Sequence, residues 1–133
     1  MILMLNIVIC DDMPIMRDDL DKIIRGYEIE NDAQFNICQF ENGEELIKKF
    51  DEDNTYFDLF FLDYYMKKLT GVETALHIRR YNTKCHIVFV TSSDSRYEFM
   101  KASPLQILQK PAKRESVYQI LSKVLSGNSC HKI

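Results

Sequence analysis

Residues 57–63 read FDLFFLD, an apolar run that ends on a carboxylate. Its length is that of a strand and too short for a helix. Phenylalanine and leucine on nearly every position predict a strand buried on both faces, as in a parallel sheet. Asp63 then stands at the strand's end on a rigid hydrophobic support. A carboxylate held in such surroundings is costly unless something uses its charge.

The same pattern recurs on either side. LNIVIC (5–10) is an apolar strand that runs directly into Asp11 and Asp12. QFNICQF (34–40), HIVFVTS (86–92) and LQILQ (105–109) predict three further strands. Between them lie segments with apolar residues at helical spacing. The first covers 13–27, with Pro14 where a first helical turn tolerates proline. The others cover 43–50, 71–81, 95–103 and 115–125, and in the third Val72, Ala75, Leu76 and Arg79 share one side. Five βα units predict an α/β fold with one five-stranded parallel sheet covered on both faces. Right-handed crossovers favour the flavodoxin-like order 2-1-3-4-5. One domain over 1–126 is expected, followed by a flexible polar tail, 127–133.

Composition narrows the function classes. The chain has 133 residues, 46% hydrophobic and 28% charged, which suits one soluble domain. No apolar run approaches the ~18 residues of a membrane span. The N-terminus lacks the basic segment and cleavage site of a secretory signal. Cys10, Cys38, Cys85 and Cys130 form no CxxC pair, which predicts free thiols and a cytoplasmic location. Two Cys-His dipeptides, at 85–86 and 130–131, are only weak metal candidates. Net charge is −3, but residues 1–63 hold 16 acidic and 5 basic residues, whereas 64–133 hold 4 and 12. Such asymmetry predicts separate acidic and basic surfaces. The basic half lacks the interleaved aromatics that would predict direct nucleic-acid binding.

In an open parallel sheet, ligands bind beyond the carboxyl ends of the strands. With strands one and three adjacent, Asp11, Asp12 and Asp63 crowd into one pocket. Like charges that close repel, and a hard divalent cation such as Mg²⁺ relieves them. Asp12, just before Pro14, could alternatively cap the first helix. Thr91 and Lys110, at the ends of strands four and five, face the same pocket. A carboxylate nucleophile, a metal, a hydroxyl and a lysine are the parts needed for phosphoryl transfer to an aspartate.

The pattern Asp11-Asp12, Asp63-Tyr64-Tyr65-Met66, Gly71, Thr91 and Lys110-Pro111 resembles the receiver domain of two-component response regulators across essentially the whole chain. ICDD and FVTSSD are most similar to receivers that precede LytTR-type DNA-binding domains. The resemblance implies that Asp63 accepts a phosphoryl group from a sensor histidine kinase. It implies Mg²⁺ held by Asp11, Asp12, Asp63 and the backbone carbonyl of Tyr65. Thr91 and Lys110 would contact the phosphoryl group. The domain would be a switch and not a turnover enzyme, acting on a C-terminal effector of a transcription regulator or on a separate partner. A homodimer formed on phosphorylation is expected through the fourth and fifth helices. Arg96, Lys101, Lys113 and Arg114 lend basic charge to that surface.

Two departures from the family pattern stand out. Lys67 replaces the proline expected four residues after the acceptor, either as a solvent-facing side chain or as a cation near the pocket. Ile107 occupies the position of the switch aromatic, so the usual threonine–aromatic coupling is missing. Tyr97 or Phe99 are candidates to replace it. The alternative function is a pseudo-receiver that signals by contact alone. An aspartyl phosphatase of the haloacid dehalogenase type would need D-x-D after the first strand, where this chain has Asp11-Asp12-Met13.

Overall fold

The computed structural model describes residues 4–92 and 96–131, with residues 96 and 128–131 by backbone alone. Strands β1 (Met4–Cys10), β2 (Gln34–Phe40), β3 (Leu59–Leu62), β4 (His86–Thr91) and β5 (Gln106–Gln109) alternate with helices. The helices are α1 (Pro14–Asn31), α2 (Gly43–Glu52), α3 (Gly71–Tyr81), α4 (Arg96–Met100) and α5 (Arg114–His131). All strand pairs are parallel, in the order β2-β1-β3-β4-β5. This is the flavodoxin-like arrangement expected from the sequence.

Local chemistry sets the element boundaries. Asn42 caps α2 by accepting the Glu45 N–H at 2.8 Å. Thr70 and Glu73 form a reciprocal capping box at the start of α3. The buried side of α3 carries Val72, Ala75 and Ile78, while Leu76 is 38% exposed. The stripe is therefore rotated from the one read in the sequence. Its phase is fixed by Gly71 at the helix start, which must lie against the sheet. Strand β3 is shorter than FDLFFLD, and just before it the Asp58 carboxylate accepts the Asn6 N–H at 2.9 Å. The backbone stays helical to His131, beyond the domain end expected at 126.

The two faces of the sheet carry different cores. On one, Ile7, Ile9, Phe61, Val88 and Val90 pack under α1 and α5. Those two helices are also fastened to each other. The Tyr27 hydroxyl lies 2.9 Å from the Ser122 hydroxyl, and the Tyr27 and Tyr118 rings meet edge to face at 5.2 Å. Arg114 pairs with Glu30 at 2.7 Å across this seam while its side chain stays 60% exposed, so part of its charge is met within the molecule. On the other face Val8, Phe60, Leu62 and Phe89 pack under α2, α3 and the five-residue α4. Phe99 of α4 is fully buried, its ring 4.6 Å from that of Phe89.

Candidate functional site

The carboxyl end of the sheet gathers the predicted residues. Three of them are fixed by their own backbone amides, which donate to the neighbouring strand. Asp11 N–H donates to the Phe40 carbonyl at 3.1 Å, Asp63 N–H to Cys10 at 3.0 Å, and Lys110 N–H to Thr91 at 2.9 Å. The ladder thus continues one residue past β1, β3 and β5, and the functional side chains project from those positions. One carboxylate oxygen from each of Asp11, Asp12 and Asp63 lies within 4.8 Å of the others. Lys110 Nζ bridges two of them, 2.9 Å from Asp11 Oδ2 and 3.1 Å from Asp63 Oδ1. Thr91 is fully buried at the end of β4.

Electrostatics follow from this crowding. Burial, and then the Asp11 charge, push the Asp63 carboxyl from its ordinary 3.8 up to about 6, against the pull of Lys110. Burial opposes the charged form of Lys110, but its bonds to Asp11 and Asp63 outweigh that and raise its pKa. Asp63 is therefore mostly ionised at neutral pH, as a nucleophile must be. A cavity of about 290 Å³, walled in part by Leu20, Ile23, Phe61 and Val90, opens beside Asp63 and Lys110. The donors are all oxygens, and net negative charge remains after Lys110 is counted. That set fits a hard cation.

The surrounding residues have identifiable tasks. Met13, not Asp12, is the N-cap of α1, and it has no side-chain cap bond. Asp11 instead accepts the Met13 N–H at 2.9 Å. The alternative of Asp12 as a helix cap is not realised, and its exposed carboxylate faces the other acids. A Cβ on Gly71 would collide with the Asp63 carbonyl oxygen, so only glycine lets α3 start this close to the acid. Met66 is buried, and its sulfur receives the Cys10 thiol at 3.5 Å. Tyr65 is 60% exposed, and its ring meets that of Tyr64 edge to face at 4.7 Å. Lys67 is exposed and lines a groove with Asp12, Glu44 and Lys68, so it is both solvent-facing and close to the acids.

Sequence reasoning missed Arg17. Its guanidinium donates to the Asp11 carbonyl at 2.6 Å and to Gln39 at 3.2 Å, tying α1 to the turn that carries the acids. A basic side chain one turn into a helix that follows an acidic pair was the available signal.

The response regulator receiver domain family matches residues 7–122. Sensory transduction protein LytR of Staphylococcus epidermidis is 30% identical over 118 residues, covering 88% of this chain and 44% of that protein. The chain thus spans less than half the length of that relative. Chemotaxis protein CheY of Halobacterium salinarum is 27% identical, with 92% of this chain and 98% of that protein covered. Among solved structures, response regulator protein TrrA of Thermotoga maritima, in complex with Mg(2+)-BeF, matches with TM-score 0.74 and 28% identity over 90% of this chain and 98% of that one. The response regulatory domain of mrkE from Klebsiella pneumoniae shares the fold at TM-score 0.80 and 22% identity, covering 92% of this chain and 97% of that one.

Proposed function

Because this chain belongs to the response regulator receiver domain family, we propose that Asp63 is its phospho-acceptor and that a sensor histidine kinase is its donor. Receivers are signalling modules of two-component systems, not turnover enzymes. The observation that carries the assignment is the bridge from Lys110 to Asp11 and Asp63, inside a group of three carboxylates. An Asp63 oxygen attacks the phosphorus of a phosphohistidine. The P–O bond forms as the P–N bond breaks, leaving an acyl phosphate on Asp63 and a free imidazole on the donor. Lys110 Nζ stands where it can follow the phosphoryl oxygens as charge builds on them. The Thr91 hydroxyl offers a further contact from β4. Asp11, Asp12, Asp63 and the Tyr65 carbonyl would hold Mg²⁺, which neutralises phosphoryl charge when bound. Arg17 and Gly71 position the two acidic turns.

The receiver unit spans 1–126 and acts in the cytoplasm. The likeness to LytR supports a longer regulator in which a C-terminal, LytTR-type DNA-binding segment provides the output. Phosphorylation is then read through α4 and α5, by a partner or by a second copy of the chain. Incubation with a small phosphodonor and Mg²⁺ tests the acceptor. Intact-mass spectrometry is expected to show one added phosphoryl group on the wild type and none on Asp63→Asn. Equal labelling of the variant refutes the assignment.

A further inference from the structure

The aromatic that usually links the phosphorylation site to the output face is replaced by Ile107, which packs against the α2–α3–α4 core as a half-buried aliphatic side chain. Yet the acceptor turn does reach α4, by another route. Tyr64 follows Asp63 directly. Its ring meets that of Phe99 edge to face, with centroids 5.4 Å apart at 87°. Its hydroxyl donates to Glu98 Oε2 at 3.1 Å. Two adjacent residues of α4 are thus gripped by one side chain of the acceptor turn.

We propose that Tyr64 is the positioning residue that couples the acceptor turn to α4, holding the helix at rest through Glu98 and Phe99. This rests on the reading of Asp63 as acceptor. Tyr64 lies between Asp63 and Tyr65, the two residues whose oxygens the proposed metal and phosphoryl group would engage. Its carbonyl is already committed to the Gly71 N–H at 2.9 Å, so the turn cannot shift without carrying the Tyr64 ring along. Just past the C-terminal end of α4, Arg79 donates to the Ala102 and Ser103 carbonyls at 2.7 and 3.0 Å. The turn after the helix is therefore tethered to α3, while the helix itself is held to the acceptor turn through Glu98 and Phe99. Releasing Tyr64 would loosen the helix while the turn after it stays in place. Phe99 also stacks on Phe89, two residues before Thr91, so displacements of the acceptor turn and of β4 converge on the same ring.

The test compares wild type, Tyr64→Phe and Glu98→Ala, using beryllofluoride with Mg²⁺ as a phosphoryl mimic. Two readouts are taken: its affinity, and hydrogen exchange of the α4 amides. If the Tyr64–Glu98 contact holds the resting state, removing it favours the activated one. Both variants should then bind the mimic about two- to tenfold more tightly, the range set by one hydrogen bond. Their α4 amides should exchange faster without the mimic and change less when it is added. A merely structural contact would lower stability without tightening binding. Unchanged affinity together with unchanged α4 exchange in both variants overturns the coupling. Should the wild type fail to bind the mimic while Asp63→Asn behaves identically, the acceptor assignment falls, and the coupling with it. In that case the mass-spectrometric result fails as well, which separates the two failures.

Discussion

The two faces of one sheet are held in opposite ways. Under α1 and α5, two long helices are packed on the strands and pinned to each other by Tyr27, Ser122, Tyr118, Arg114 and Glu30. The other face is covered by α2 and α3, linked by His77 and Asp51 at 2.8 Å, and beside them by an α4 only five residues long, attached by Phe99, Tyr64 and the Arg79 tether. The crowded acids stand at the sheet's carboxyl edge, between the two flanks, where three carboxylates share one small volume and Lys68 adopts φ 65 in the turn after the acceptor. Stability concentrated on one flank lets the other carry a short helix that can shift. The free energy available to a small domain is only ~5–15 kcal/mol, so this division matters.

Truncation of one anchor on each flank gives the largest effects. Tyr27→Ala should cost about 3–5 kcal/mol in urea unfolding, because it opens a cavity and breaks the Ser122 bond within the cooperative core. Phe99→Ala deletes an equally buried ring, yet it should cost less than Tyr27→Ala, because α4 can loosen without opening the rest. Equal losses would remove the distinction between the flanks.

A second experiment concerns the crowded acids without metal. The Asp63 carboxyl keeps its proton to about pH 6 when folded, against an ordinary 3.8. As pH rises from 4 to 7 the unfolded chain ionises first, so folding is penalised progressively and the penalty is complete above about pH 7. Asp63→Asn escapes it. After allowance for screening, the variant should be more stable than wild type by about 1–2 kcal/mol at pH 7–8, with no advantage below pH 4. Denaturant titrations across pH check both sign and window. A variant less stable at pH 8 would show that the acid contributes to the fold instead of straining it.

The smallest effect is expected at Lys68. Its positive φ suits glycine, so Lys68→Gly should stabilise the metal-free protein by about 0.5–1 kcal/mol. A loss instead would mean that the lysine side chain secures the turn.

Much of this was legible before any coordinates. Alternating apolar strands and helices with right-handed crossovers predicted the strand order, and polar residues at strand ends predicted that Asp11, Asp12, Asp63 and Lys110 lie together. Those features depend on the alternation of elements, which sequence periodicity reports directly. The features that escaped depend on side-chain reach. Arg17 bonds a carbonyl across a turn, Arg114 swings to Glu30, and Tyr64 grips α4 through a residue far along the chain. No spacing rule predicts a contact made by a long side chain after the backbone is placed. The rotated stripe of α3 has a related cause. Leu76 fits a helical period, but the closeness of Gly71 to Asp63 sets which arc of the helix meets the sheet.

That closeness has a consequence for anyone rebuilding the domain. The first residue of α3 is the back wall of the acceptor residue, with no room for a single carbon between the two backbones. The segment from Asp63 to Gly71 is therefore a closed module whose two ends touch, clasped by the Gly71 N–H on the Tyr64 carbonyl. Exchanging it between scaffolds, shortening it or inserting a reporter into it requires that both ends travel together. A graft that takes the acceptor strand from one parent and the helix start from another would inherit whatever side chain stands at position 71, and the acceptor would be displaced before any partner arrived.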